Sequence, residues 1–291
     1  MNRMKAKNRD IRFISVKDAD FPRELSEKEC PWPPKKGIYL KGKLSEGRRV
    51  AIVGTRRATS YGKDSARKIG EILAKEGLII VSGLALGIDS SAHEGALAAG
   101  GITWAVLGSG IDNIYPRTNK ELSEKIFRGK GAIISEYEPE AEASKWTFPE
   151  RNRIVAALSE LIIVIEAPEK SGALITARLG LEAGKEVAVI PGDISRPNFQ
   201  GSNRLLREGA HMIAEPKDAL YLLGIVPNEK KQKFDNLDKM EEAILQCLSG
   251  PKNSDEIIAE TKLAAEIISR KLTELELKNA VRRSAGIWQR L

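Results

Sequence analysis

Between residues 50 and 224, short apolar runs alternate with segments of helical period. The runs are Val50–Val53, Leu78–Val81, Thr103–Leu107, Ala132–Ser135, Leu161–Ile165, Glu186–Ile190 and His211–Ala214. Between the first two, Ala66, Ile69 and Leu73 recur at three- and four-residue steps, and Gly77 is placed to close the helix. Val/Ile/Leu runs without polar alternation suit strands covered on both faces. The pattern therefore predicts an α/β fold: a doubly wound, Rossmann-like parallel sheet over residues 50–224.

Past residue 224 the rhythm changes. Residues 225–238 are polar and aperiodic and read as a linker. Residues 239–291 hold three helical patterns (Met240–Leu248, a short one opening at Ser254 as N-cap, and Ala264–Lys278) and then two short strands around Ser284-Ala285-Gly286. Three helices followed by a hairpin predict a small C-terminal winged-helix domain, a module that binds either duplex DNA or a protein. Residues 1–49 carry Phe21-Pro22-Arg23 and Cys30-Pro31-Trp32-Pro33-Pro34, and this proline density predicts an extended N-terminal strap.

Charge changes this picture only locally. The net charge of +7 resides in residues 1–49, while 50–224 sum to −1 and 225–291 to +1. Any affinity for nucleic acid must then come from a patch rather than from the whole surface. Two cysteines, Cys30 and Cys247, and two histidines, His93 and His211, stand in no metal-type spacing. No apolar run approaches a membrane span, and no apolar segment follows the basic N-terminus. The expectation is a cytoplasmic protein without membrane contact, metal or cofactor.

One patch fits that requirement. Lys145-Trp146-Thr147-Phe148-Pro149-Glu150-Arg151-Asn152-Arg153 places three cations and two aromatics at the entry to a helix. Rings stack on unpaired bases and Lys and Arg hold phosphates, as single-stranded nucleic acid requires. By itself the segment equally describes a solvated charged loop. The predicted strand ends add further polar chemistry: Gly54-Thr55-Arg56, Ser82-Gly83, Gly108-Ser109-Gly110, Ser135-Glu136, Ser171-Gly172 and Pro191-Gly192. In an open parallel sheet, ligands bind beyond such ends, and helix N-termini attract anions. Tight turns also need glycine, so the weight lies in the recurrence along one rim. A dinucleotide fingerprint is excluded, because Gly54-Thr55-Arg56-Arg57-Ala58-Thr59 lacks the second and third glycines. Asp89 and His93, one turn apart, have no third ligand in register and read as a structural pair.

In order along the chain, Gly54-Thr55-Arg56, Ser82-Gly83-Leu84-Ala85-x-Gly87-Ile88-Asp89, Gly108-Ser109-Gly110-x-Asp112-x-x-Tyr115-Pro116, Ser135-Glu136, Phe148-x-x-Arg151-Asn152-Arg153-Ile154, Ser171-Gly172-x-Leu174-x-Thr176-Ala177, Pro191-Gly192 and Gly201-x-Asn203 closely resemble the DNA-processing protein A (Smf) family. The resemblance implies a single-stranded DNA-binding recombination mediator that helps load the RecA recombinase, serves natural transformation and forms a homodimer through the Rossmann-like domain. It implies no catalytic residue. Carried over residue by residue, Arg56 and Lys145 hold phosphates, and Phe148 stacks on a base. Arg151 and Arg153 are further partners, although one can instead pair with Glu136 to brace the loop. Gly54, Thr55, Ser82, Gly83, Ser171 and Gly172 offer donors from the loops. Leu86 stands where many relatives have a basic residue, and only the short strap precedes Val50, where many relatives carry a helical domain.

Two other classes compete. Phosphoribohydrolases of related fold carry Pro-Gly-Gly-x-Gly-Thr-x-x-Glu, but here Arg178 occupies the position of the catalytic acid and cannot act as a carboxylate base. The rim of glycine loops is also open to reading as a nucleotide pocket, and a winged-helix regulator with a ligand-sensing domain would instead bind duplex DNA tightly and with sequence preference.

Overall fold

The structure, a computed structural model, describes residues 10–226, 237–248, 250–278, 280–284 and 286–290. It divides into two compact units, Met1–Pro227 and Asn228–Leu291. Most of the expected linker, residues 227–236, lies outside the described residues, as does Ala285 of the expected hairpin turn.

The larger unit is built on a nine-stranded sheet in the order β1-β2-β6-β5-β4-β3-β7-β8-β9. Its parallel part comprises β3 (Arg49–Val53), β4 (Ile79–Ser82), β5 (Thr103–Leu107), β6 (Ala132–Ser135), β7 (Leu161–Val164), β8 (Glu186–Val189) and β9 (His211–Met212). These strands coincide closely with the apolar runs, because helices on both faces leave almost every side chain buried. The interleaved helices are α1 (Ser60–Lys75), α2 (Ile88–Ala98), α3 (Lys120–Arg128), α4 (Thr147–Ala157), α5 (Gly172–Glu182), α6 (Pro197–Arg207) and α7 (Asp218–Leu222). Helix α1 buries the predicted stripe of Ala66, Ile69 and Leu73, and the Thr59 side chain caps it by accepting from the Gly62 amide. Strand order reverses between β3 and β7, which opens a crevice at their carboxyl ends.

The N-terminal segment differs from the expected strap. Residues Ile11–Ser15 (β1) and Gly37–Gly42 (β2) pair antiparallel, and β2 pairs antiparallel with β6. The prolines fall between these strands, where Phe21, Leu25 and Cys30 turn into the core beside Ile14, Ile38 and Leu40. Apolar burial thus converts an irregular, proline-rich stretch into an extension of the sheet.

The smaller unit contains α8 (Lys239–Cys247), α9 (Ser254–Thr261) and α10 (Ala265–Leu277), with a three-stranded sheet of β10 (Lys252–Asn253), β12 (Ile287–Arg290) and β11 (Val281–Ser284). Its core gathers Ile244, Ile257, Ile268, Leu272 and Trp288. Asn253, not Ser254, is the N-cap of α9, in a capping box with Glu256. The hydroxyl of Ser254 instead accepts from Trp288 Nε1 at 3.2 Å. No helix among the described residues is long and apolar enough to cross a membrane.

Candidate nucleic-acid interface

A cleft of about 580 Å3 opens at the strand-order reversal. The β3–α1 loop contributes Thr55, Arg56 and Arg57, the turn after β4 contributes Gly83, α4 contributes Phe148, Arg151 and Asn152, and the loop after β7 contributes Lys170 to Ala173.

Helix α4 organises the site. Phe148, Arg151, Asn152 and Val155 recur at helical spacing and all reach the cleft. The Phe148 ring lies 5.5 Å from that of Tyr115 and carries the Arg56 guanidinium 4.6 Å from its centroid. Gly108 permits this seat, since a Cβ there would stand 2.9 Å from the ring. Lys145 Nζ sits 4.9 Å from the centre of Trp146, a ring that is 68% exposed. Arg56, Arg57, Lys145 and Lys170 are exposed and, among the described residues, make no ion pair. Unpaired cations around an exposed aromatic form a surface for polyanions with π-faces.

Arg151 and Arg153, expected as phosphate partners, are committed elsewhere. Arg151 is buried, and its Nη1 donates to the carbonyls of Gly83, at 2.6 Å, and Val106. A side chain at position 83 would fall on this guanidinium, so the glycine is required. Burial lowers the Arg151 pKa to about 10, opposed by the nearby Asp89 charge, and the group remains protonated at neutral pH. Burial likewise raises the Asp89 carboxyl, against the pull of Arg151 and the amides of Ala85 and Gly83. Both side chains line the cleft and are spent on backbone groups, Arg151 on two carbonyls and Asp89 on the Gly83 and Ala85 amides. Arg153 leaves on another side of the helix. It donates to the Trp32 carbonyl at 2.8 Å and pairs with Glu136, whose other oxygen accepts from the Lys35 amide at 3.3 Å. This is the bracing pair that the sequence left open.

The loop donors divide in the same way. The Thr55 amide is taken by the Glu166 carbonyl at 2.7 Å, the Ser82 hydroxyl by the Ile52 carbonyl at 2.6 Å, and the Gly83 amide by Asp89 at 3.1 Å. Gly54 is packed closely against Ile88 and Glu166, where a Cβ would clash. Ser171 and Gly172 do face it, at the N-terminus of α5, with Ser171 as N-cap to the Ala173 amide. Of the expected residues, Arg56, Lys145, Phe148, Ser171 and Gly172 keep open chemistry together, with Thr55 in the wall. Sequence reasoning missed Arg57, Lys170 and Tyr115, although each adjoins or lies within a quoted motif.

Asp89 and His93 do not bond each other. Thr103 gives its hydroxyl hydrogen to the Ile80 carbonyl and therefore accepts from His93 Nδ1 at 2.6 Å, which places a proton on Nδ1 and leaves Nε2 buried without a hydrogen-bond partner among the described residues. Burial first, then the Arg151 charge, lowers the His93 pKa to about 3. Among the described residues, one group of three acids could hold a metal: Asp238, Glu241 and Glu274. The Lys271 ammonium already bridges two of them.

The sequence profile described as DNA recombination-mediator protein A matches residues 12–224, and that described as DprA winged helix domain matches residues 228–286. The Protein Smf of Synechocystis is 43% identical over 221 residues, covering 74% of this chain and 54% of that one, so the chain spans about half the length of this relative. The X-ray structure of DNA processing protein A from Streptococcus pneumoniae is similar at TM-score 0.68 and 39% identity, covering 73% of this chain and 74% of that one. A structure of DNA processing protein A from Helicobacter pylori, reported for its single-stranded DNA binding mode, aligns at TM-score 0.65 and 34% identity, covering 73% of this chain and 95% of that one. With a profile match over most of its length and with relatives this similar, the chain belongs to the DNA-processing protein A (Smf) family.

Proposed function

We propose that this protein binds single-stranded DNA in the cleft at the β3/β7 reversal and acts there as a recombination mediator. One observation carries the proposal: a stackable ring, Phe148, flanked by four cations without an ion pair among the described residues, Arg56, Arg57, Lys145 and Lys170, at the carboxyl edge of a parallel sheet. The single-stranded DNA binding stated for the Helicobacter pylori relative supports the same reading. Phosphates lie on the cations and on the α5 N-terminus, and a base stacks on Phe148. Asp89 is the one acid among the lining residues, and it is occupied by amides. That favours binding over hydrolysis, as does the exposed Arg178 on α5, where a phosphoribohydrolase needs a carboxylate. Delivery of the bound strand to RecA in natural transformation belongs to the same proposal. So does a homodimer through the Rossmann-like domain, with the half-exposed Met212 and Tyr221 at the β9 end of the chain's sheet as its candidate surface. Leu220, on the same helix as Tyr221, is fully buried in the core.

The test is fluorescence anisotropy with labelled oligo-dT and a matched duplex across a salt series. Four phosphate contacts give a log–log salt slope of about −2.8 for a single strand, and the double variant Arg56→Ala/Lys145→Ala reduces it by about 1.4. Unchanged binding by the double variant, or equal affinity for duplex, overturns the reading. RecA nucleation on strands coated by a heterologous single-strand-binding protein tests the mediator step, and light scattering of the eluted protein tests the dimer.

A further inference from the structure

A second cavity, of about 500 Å3, lies on the same edge of the sheet, beyond the β3–α1 loop from the cleft. Its floor is Phe199, 3% exposed, with Pro191 and Gly192 beside it. One wall is Tyr61, 52% exposed on the first turn of α1, its ring 6.2 Å from that of Phe199. At the mouth stands Arg196, mostly exposed and paired with Asp193 at 3.3 Å. The two cavities share a wall, because residues 55–57 line the cleft and Thr59 lines the second cavity. They are also tied together: Asn198 Nδ2, in the first turn of α6, donates to the Arg57 carbonyl and to Glu166, both at 3.0 Å.

We infer that this cavity is a second nucleotide subsite, which takes a base of the same strand that occupies the cleft, stacked on Tyr61 over the Phe199 floor, with a flanking phosphate at Arg196. The inference rests on the proposed single-strand binding. An exposed ring, an apolar floor and a cation at the mouth are what a base and its phosphate require, without any reading of base edges. Two side chains beside the cavity that could read an edge are already used, Thr59 by Glu166 and Asn198 by Arg57 and Glu166, and the lining Asp193 is taken by Ser195 and Arg196. A free nucleotide would find too few convergent polar groups here, since small-molecule sites enclose most of their ligand and orient it by such groups. A base tethered to one already held in the cleft arrives at high effective concentration and needs fewer contacts. The continuity of the wall therefore selects the strand over the free nucleotide as the occupant.

The experiment is an oligo-dT length series from about four to about sixteen nucleotides, the range of site sizes in single-strand-binding folds, read by anisotropy on the full chain. Wild type, Tyr61→Ala, Tyr61→Phe and Arg56→Ala are compared, with thymidine monophosphate as competitor in a separate arm. Tyr61→Ala is expected to weaken the longer oligomers by about 5- to 100-fold, the loss of one stacked base, and to shorten the length at which affinity stops rising. The shortest oligomers bind as to wild type, and Tyr61→Phe retains the long-oligomer affinity. Thermal unfolding of Tyr61→Ala at the wild-type temperature confirms that the fold is intact. If Tyr61→Ala changes nothing, or weakens all lengths alike, while Arg56→Ala still weakens binding, the subsite is overturned and the cleft stands. If the wild type binds no oligomer, both fail. If the monophosphate competes through a Tyr61-dependent site without affecting the length profile, the occupant is a free nucleotide and the strand assignment is wrong.

Discussion

Arg56, Arg151 and Arg153 carry the same guanidinium, yet their surroundings give them three tasks. Arg56 is exposed over a ring, Arg151 is buried against two carbonyls, and Arg153 is clamped between Glu136 and the Trp32 carbonyl. Removing Arg151 leaves the buried Gly83 and Val106 carbonyls without their donor, so Arg151→Ala is expected to lose about 1–3 kcal/mol of stability in urea unfolding, while Arg56→Ala stays within about 0.5 kcal/mol of wild type. For Arg153→Ala the expectation is weaker oligo-dT binding with an unchanged salt slope, because the residue positions α4 without meeting phosphate. Lys145→Ala instead reduces the slope by about 0.7. A slope change in the Arg153 variant would show that it contacts the strand. His93 makes a pH prediction. Its folded pKa, about 3, lies below the 6.5 of the free side chain, so the unfolded chain takes up the proton first as pH falls. Stability present above pH 6.5 is then lost toward pH 3, with a slope of up to about 1.4 kcal/mol per pH unit. Asp89, with its raised pKa, works in the opposite direction. The difference between wild type and His93→Asn at pH 7 and pH 5 isolates the histidine, and equal pH slopes would refute its assignment as the neutral group.

At the scale of elements, the parallel strands were legible because burial on both faces writes itself into the sequence as unbroken Val, Ile and Leu. Helix α4 was legible as a candidate binding element, since Lys145 to Arg153 concentrates rings and cations. The division of labour along it was not. Whether Arg151 or Arg153 points to ligand depends on Gly83, Val106, Trp32 and Glu136, which only tertiary structure brings near. The same applies to Thr55, Ser82 and Gly83, whose donors are consumed by Glu166, Ile52 and Asp89. Strand β1 escaped notice because its burial does not alternate and its partner lies beyond the proline-rich stretch. Strand β2 is fixed by β6, almost a hundred residues away: Tyr39 pairs with Ser135. Local periodicity carries no signal for such a pairing.

For the whole molecule, the excess positive charge and the candidate binding cations lie in different places. Among the described residues, several cations of the first 49 are paired within the fold, as in Arg12–Asp20, Arg23–Glu29, Lys41–Glu124 and Arg49–Glu24. In the winged-helix unit, Arg270 pairs with Glu274, and Lys271 with Asp238 and Glu274, which leaves α10 little charge for phosphate. Deleting residues 237–291 is therefore expected to preserve oligo-dT affinity and its salt slope; a large loss of either would place part of the strand on the winged helix. The long-range pairing of β2 bears on how the chain folds. Contacts between distant residues form slowly because loop closure opposes them. The segment that supplies the Trp32 carbonyl to Arg153 cannot dock until β6 is in place. A refolding chain is thus expected to recover helix and sheet signal before it recovers affinity for oligo-dT, a lag that stopped-flow circular dichroism and anisotropy measure together. Strands early in the chain are thus among the last to settle, and the proposed DNA cleft waits for them.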